Sequence, residues 1–408
     1  MYKTLISSAT NFSMIGAPGL PLDLDRFTAA LLATRFPSAS RKINRIALSS
    51  AIRSSDWREV ERYLGQLDRR AIAEGVRILE EARRSGFQTI TLGANFYPER
   101  LAGIPDPPLV LFMRGTFPRT AIAPVDGQFT VGIVGSRDST SYGNRHARSL
   151  AEAVTVRGGV VISGLAIGID GAAHRGAISG FDAACEQEEE IEQSAGIAVL
   201  GSGLHRVYPA QHQSLADEII KRNGVLLSEY LPDQPGLPQQ FPERNRIVSG
   251  LADALVVVEA KERSGALGTV QCALEQGRDV FALPGPLDYS TSAGPHRLIR
   301  EGAILLRSID DIFDAIPRLV RKSKKPRRAR KQSNAELPTL PAQLQDRERA
   351  VAEQLLQILR AGEPQDFEQL MALTATGAPE LQAALSQLEL HQIVFRGDGD
   401  FYSCDPFV

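Results

Sequence analysis

The chain contains no run of about 18 consecutive apolar residues, so its sequence predicts no membrane-spanning helix. Its N-terminus has no basic segment leading into an apolar core, and no secretory signal is expected there. Only three cysteines occur, Cys185, Cys272 and Cys404, scattered without metal-ligand spacing. That scarcity argues against a disulfide framework or a bound metal and fits a reducing cytoplasm. Several signatures are missing as well. There is no Gly-x-x-x-x-Gly-Lys-Ser/Thr phosphate loop, no His-Glu-x-x-His, no Cys-x-x-Cys and no Gly-x-Ser-x-Gly elbow. Positive charge is not in excess either: 46 Lys and Arg face 48 Asp and Glu, a net charge of −2. Any nucleic-acid contact must therefore come from a local basic patch. The 408 residues exceed what one hydrophobic core usually organises, which predicts two or three domains.

Against these absences stands one stretch, residues 131–177. It holds two short apolar runs, 131–134 and 160–162. Each stops at a glycine-bearing polar turn, Gly135-Ser136-Arg137 and Ser163-Gly164-Leu165, that opens into a helical pattern. Continuous apolar runs separated by helix-forming sequence suit a parallel sheet covered on both faces. Further runs of the same kind lie at 109–113, 197–200, 225–227, 254–258 and 280–283, with helical segments at 214–221 and 267–276. The repeated strand–turn–helix grammar predicts an α/β fold, a doubly wound, mostly parallel, extended Rossmann-like sheet. The units are too few for an eight-stranded barrel. Right-handed crossovers bring the strand-end turns to one rim, carrying Arg137, Gly164, Asp170, Gly201, Glu229, Glu259 and Gly285. Ligands of open parallel sheets sit at that rim, where free N–H groups and helix N-termini favour anions.

The rest of the chain divides around this domain. Residues 1–86 read as an N-terminal helical domain, with Phe27, Leu31, Leu32 and Phe36, then Trp57, Val60, Tyr63, Leu64 and Leu67, then 71–82 at helical spacing. Residues 87–317 form the sheet domain, entered through a proline-rich connector. The acidic segment 181–195 reads as a surface insertion. Residues 318–345 are a flexible linker whose first part, RLVRKSKKPRRARK, is either a solvated tether or an electrostatic hold on a nucleic-acid backbone. Residues 346–408 read as three helices and a hairpin with a turn at 397–400, a winged-helix-like order. The third of those helices has no Lys or Arg, which favours a protein or self contact over groove insertion.

Two clusters carry candidate chemistry. Asp170 and His174, four apart at a helix start, share a face. They are either an acid–base pair or a helix-start carboxylate with a histidine bonded to it. Arg244, Asn245 and Arg246 precede an apolar helix at 247–251 and suit phosphate contact, solvated charges being the plain alternative. The turn Gly135-Ser136-Arg137 is not Gly-x-Gly-x-x-Gly, and an arginine fork there suits phosphate better than a dinucleotide.

The blocks PPLVLFMRG (107–115), VGIVGSR…SYG (131–143), SGLAIGIDGAAHRGA (163–177), LLSEY (226–230), FPERNRIVSGL (241–251), VEAKERSGALGT (258–269), ALEQGRDVFALPG (273–285) and RLIREGA (297–303) resemble the signature of the DprA/Smf family of DNA-processing proteins. The resemblance covers about 110–315 in the right order. It implies an extended Rossmann-like domain that binds single-stranded DNA, forms a homodimer and loads the RecA recombinase during natural transformation. It also implies a sterile-alpha-motif-like N-terminal domain and a winged-helix-like C-terminal one, with no cofactor or metal. On the matching positions the DNA-binding set is Gly135, Ser136, Arg137, Ser163, Gly164, Gly168, Asp170, His174, Arg244, Asn245, Arg246, Ser264 and Gly265. The chain departs from the family pattern at Ile167, where arginine is usual, at Ser202, where cysteine is common, and at Gly294-Pro295-His296, where Gly-Thr-Asn is usual. The rival reading is an enzyme, since Gly265-Ala266-Leu267-Gly268-Thr269 is similar to the loop of nucleotide phosphoribohydrolases. Val270-Gln271-Cys272 follow that loop and offer no carboxylate as general acid or base, so the expectation is a binding protein and not an enzyme.

Overall fold

The apolar runs seen in the sequence are strands buried along their whole length, and they meet side by side in one sheet. A computed structural model describes residues 24–36, 43–94, 97–115, 129–185, 194–322, 346–361, 365–390, 394–396 and 401–403. The chain divides into two compact units, Met1–Ser139 with Ala147–Lys324, and Thr140–His146 with Lys325–Val408.

The first unit opens with helices α1 (Leu24–Ala33), α2 (Arg45–Arg53), α3 (Trp57–Leu64) and α4 (Arg69–Arg84). Asn44, Asp56 and Asp68 cap the last three, each side chain accepting the N–H of the residue three further on. Helix α2 was not expected from the sequence. Its buried residues Leu48, Ala51 and Ile52 do follow helical spacing, but in a run of only nine residues. The sheet follows, with β1 (Gln88–Thr91), α5 (Glu99–Ala102), β2 (Val110–Gly115), β3 (Thr130–Val134), α6 (Ser141–Val156), β4 (Val160–Ser163) and α7 (Ile169–Cys185). It continues with β5 (Ile197–Leu200), α8 (Gln213–Lys221), β6 (Val225–Ser228), α9 (Gln240–Leu251), β7 (Ala254–Val257), α10 (Ala266–Glu275), β8 (Asp279–Ala282), α11 (Ala293–Arg300), β9 (Ile304–Leu305) and α12 (Ile309–Ala315).

The nine strands stand in the order β1-β2-β6-β5-β4-β3-β7-β8-β9. From β6 to β9 all neighbours are parallel, and β2 and β1 are added antiparallel at one edge. This is the mixed, mostly parallel α/β sheet the sequence predicts. The two strands not foreseen, β1 and β9, lie at the sheet's two edges. The first is polar (QTIT) and the second two residues long, so neither carries a buried-strand signal. The proline-rich connector holds the short helix α5 because Pro98 stands at its N-cap, where no N–H is needed and its carbonyl accepts the Ala102 N–H (2.9 Å). Phe27, Leu31, Leu48 and Leu79 of the N-terminal helices share one buried cluster with Leu111 and Phe112 of β2 and with the parallel strands.

The second unit contains α13 (Asp346–Ala361), β10 (Gln365–Asp366), α14 (Phe367–Thr374), α15 (Ala378–Leu390), β11 (Phe395–Arg396) and β12 (Phe401–Ser403). Its strands pair antiparallel in the order β10-β12-β11. Leu355, Leu356, Leu370, Leu381, Leu385, Leu388 and Tyr402 form its core. The turn expected at 397–400, residues 186–193 of the acidic segment, residues 323–345 of the linker and Cys404 lie outside the described residues. Residues 318–322, expected as the start of the linker, instead belong to a short 3-10 helix, Pro317–Lys322, which buries Leu319. Among the described residues no helix is long and apolar enough to cross a membrane.

Candidate nucleic-acid interface

Strand β3 is where the chain changes direction across the sheet. The strands that follow it, β4 to β6, add on one side, and β7 to β9 add on the other. Loops leaving β3 and β7 therefore diverge and leave a crevice at their carboxyl ends, the usual ligand position in such sheets. A cavity of about 930 Å³ fills it, lined among others by Gly135, Ser136, Arg137, Gly164, Asp170, Phe241, Arg244, Asn245, Ser264, Gly265 and Cys272.

The β3 turn is folded by Ser136, whose hydroxyl donates to the Asp138 carbonyl (2.8 Å) and accepts the Asp138 N–H (3.1 Å). This leaves Arg137 exposed at the mouth, its guanidinium 5.3 Å from the centre of the Phe241 ring. That is cation–π distance. The Tyr208 ring, half-exposed, lies 5.3 Å from Phe241. Arg244 comes from behind and is buried. Its Nη1 donates to the Val199 carbonyl, while its Nε has no partner among the described residues. Gly164 makes this placement possible, since a Cβ there would fall on the guanidinium. Burial pulls the Arg244 pKa below its ordinary value, and Asp170 opposes that shift.

Asp170, in the first turn of α7, turns its Oδ2 to the N–H groups of Gly164 (3.1 Å) and Ala166 (3.3 Å). Burial pushes its carboxyl up, with Arg244 and those N–H groups holding against it. His174 is fully buried, and neither ring nitrogen has a hydrogen-bond partner among the described residues. Burial, together with His212 and Arg175 nearby, takes its pKa down to about 3. The expected bond between Asp170 and His174 is therefore not made. A neutral, enclosed imidazole and an engaged carboxylate form no acid–base pair.

Four of the sequence-predicted residues stand outside the cavity lining. Ser163 donates to the Ile133 carbonyl (2.7 Å) and ties β4 to β3. Gly168, at φ +81°, lets the α7 loop pack on the Ser136 carbonyl, which any Cβ would meet. His174 is fully buried. Arg246 is the larger correction. Its Nη2 meets Glu229 at 2.9 Å and its Nε meets Asp106 at 3.0 Å. The cause is that α9 begins at Gln240 and not after Arg246, with Pro242 accepted in its first turn. Two positions on a helix are about 200° apart, so Arg244 and Arg246 cannot share a face.

The same helix explains what sequence reasoning missed. Phe241, Arg244, Asn245 and Val248 all line the cavity, and their spacing is that of one helical face. Rim positions further out are spent on structure: Glu229 is buried in ion pairs and Glu259 accepts from Thr291 (3.2 Å). Among the described residues no group of three or more His, Cys, Asp or Glu is placed to hold a metal ion.

Comparison with known proteins agrees with this architecture. Residues 88–317 match the family described as DNA recombination-mediator protein A. Protein Smf of Escherichia coli is 39% identical over 257 residues, which span 63% of this chain and 63% of that relative's length. Protein Smf of Synechocystis is 32% identical over 360 residues, 84% of this chain and 86% of the relative. The X-ray structure of DNA processing protein A (DprA) from Streptococcus pneumoniae is similar at a TM-score of 0.51 and 28% identity, covering 77% of this chain and 96% of that one.

Proposed function

The chain belongs to the DprA/Smf family of DNA recombination-mediator proteins, and from that premise we propose that its β3–β7 cavity grips single-stranded DNA. The observation that carries this reading is the convergence of Arg137, Phe241 and Arg244 on one cavity. Two guanidiniums suit phosphate oxygens, and the aromatic ring in the same cavity offers a base a stacking surface without reading its identity. Duplex DNA keeps its bases stacked inside and cannot use that ring. Mobility-shift titrations with single- and double-stranded oligonucleotides over a salt series test the reading, because the salt slope counts the phosphates neutralised.

The proposal extends to what such binding serves: protecting incoming single strands and loading the RecA recombinase on them, by a cytoplasmic homodimer. The family description as a recombination mediator supports this. The protein acts by holding DNA and not by cleaving it. Asp170 is engaged by backbone N–H groups, His174 cannot take up a proton near neutrality, and Val270, Gln271 and Cys272 follow Thr269 on α10. A general acid or base is what a phosphoribohydrolase would need there. Incubation with nucleoside monophosphates tests this, and release of free base would favour the enzyme. The second unit is read as winged-helix-like. Its helix α15 carries no Lys or Arg, which favours a protein or self contact.

A further inference from the structure

On the side of α9 turned away from the cavity, three arginines from separate parts of the chain meet at one carboxylate. Glu229 directly follows β6 and is almost fully buried. Its Oε1 receives Arg35 at 2.8 Å and Arg45 at 2.7 Å, and its Oε2 receives Arg246 at 2.9 Å. Arg35 follows α1 and Arg45 opens α2, whereas Arg246 lies on α9. The next residue repeats the link. The Tyr230 hydroxyl stands 3.0 Å from the Gln240 carbonyl and 3.1 Å from the Glu243 carboxylate, both at the start of α9. The Arg35 guanidinium lies over the Tyr230 ring at 5.2 Å.

We propose that Glu229 is a positioning residue for the cavity: through Arg246 it ties the rotation of α9, and so the aim of Arg244 and Asn245, to the N-terminal helices. This rests on the reading of the cavity as a DNA site. A helix fixed on one face by ion pairs cannot turn its other face, and α9 carries the pairs on one side and the cavity residues on the other. A buried carboxylate is tolerated only when cations compensate it, so loosening Arg35 and Arg45 changes how firmly Glu229 holds Arg246. The N-terminal helices thereby support the binding site without touching it.

The test uses the full chain and a fluorescent single-stranded oligonucleotide at a temperature well below melting. Glu229→Gln removes the node outright but threatens folding, so the deciding variant is Arg35→Ala with Arg45→Ala, which keeps the Arg246–Glu229 and Arg246–Asp106 pairs. Its control is Arg58→Ala with Arg69→Ala, which removes the same charge from exposed positions of the same helical layer. We expect the deciding variant to bind roughly three- to tenfold more weakly than the control, the scale of coupling through residues that touch no ligand. Arg35→Lys with Arg45→Lys, which keeps cations within reach of Glu229, restores most of that loss. A purely structural tie would lower the melting temperature and leave the affinity of the folded protein equal to the control's, and that result overturns the inference alone. Absence of binding by the unaltered chain overturns the reading of the cavity and this inference with it.

Discussion

Arg244 and Arg246 stand two residues apart on α9 and face opposite ways: Arg244 lines the cavity, and Arg246 is held by Glu229 at 2.9 Å and Asp106 at 3.0 Å. One turn of helix thus carries a ligand-facing cation and a structural one, and substitution should separate them. Arg246→Ala leaves Glu229 buried with Arg35 and Arg45 still paired to it, and is expected to cost about 1–3 kcal/mol of stability, the scale of lost charge-assisted hydrogen bonds. Arg244 compensates the buried Asp170 carboxyl, so Arg244→Met should cost stability as well, and more affinity than Arg246→Ala because Arg244 alone of the two lines the cavity. Denaturant melts and oligonucleotide titrations on both variants check the contrast. Equal affinity losses in the two variants would contradict it.

Gly164 leaves the space that the Arg244 guanidinium fills. Gly164→Ala should displace that side chain, costing roughly 1–3 kcal/mol by overpacking and weakening single-strand binding. The paired variant Gly277→Ala, at a glycine with open space around it but φ +65°, should cost stability through backbone strain and leave binding intact. Binding lost in both, or in neither, would count against the cavity's geometry.

Phe241 offers the cavity's aromatic face, half-buried between Arg137 and Tyr208. Phe241→Leu should lose about 1–3 kcal/mol of binding per stacked base, and Phe241→Trp should keep most of it. Abasic oligonucleotides should be indifferent to the change. If they lose as much affinity as ordinary ones, the ring packs and does not stack.

The buried charges predict a pH profile. His174 has its pKa lowered from 6.5 to about 3, so the unfolded chain takes up a proton first as pH falls. Its stabilising contribution is complete above about pH 6.5 and is lost progressively toward pH 3, by at most about 1.4 kcal/mol per pH unit. Glu229 adds a second, lower window. Burial raises its pKa, but Arg246, Arg35 and Arg45 outweigh that and bring it from 4.5 to about 2. Its contribution is present above about pH 4.5 and fades below it. Melts from pH 8 to 4 on the unaltered chain and on His174→Leu check this, the variant giving a flatter profile between pH 6.5 and 4.5. Parallel profiles would place the titration elsewhere.

What the sequence revealed and what it hid follow from how each feature encodes itself. The parallel strands were legible because burial on both faces demands unbroken apolar runs such as 254–258. Strands β1 and β9 were not, being short and lying at the edges. The turn at Gly135-Ser136-Arg137 was recognisable from its glycine and arginine, and it does line the cavity. The Arg244–Arg246 cluster was misread because the helix was started at the apolar run 247–251, whereas it begins at Gln240, and a proline in a first turn removes no helical hydrogen bond. With α9 taken from Gln240, the 3.6-residue repeat separates the two arginines and adds Phe241. That His174 has no hydrogen-bond partner among the described residues depends on the packing of α7 against its surroundings, which no local pattern records.

In the proposed function Arg137, at the mouth of the cavity, holds a phosphate of single-stranded DNA. A salt-series titration of one single-stranded oligonucleotide against the unaltered chain and Arg137→Ala tests it most directly. Binding of the variant is expected to be roughly ten- to a hundredfold weaker at moderate salt, the scale of a charge-assisted hydrogen bond. Its log–log salt slope should be shallower by about 0.7, one phosphate contact on a single strand, with melting unchanged. Equal affinity and equal slope for the two proteins would contradict it.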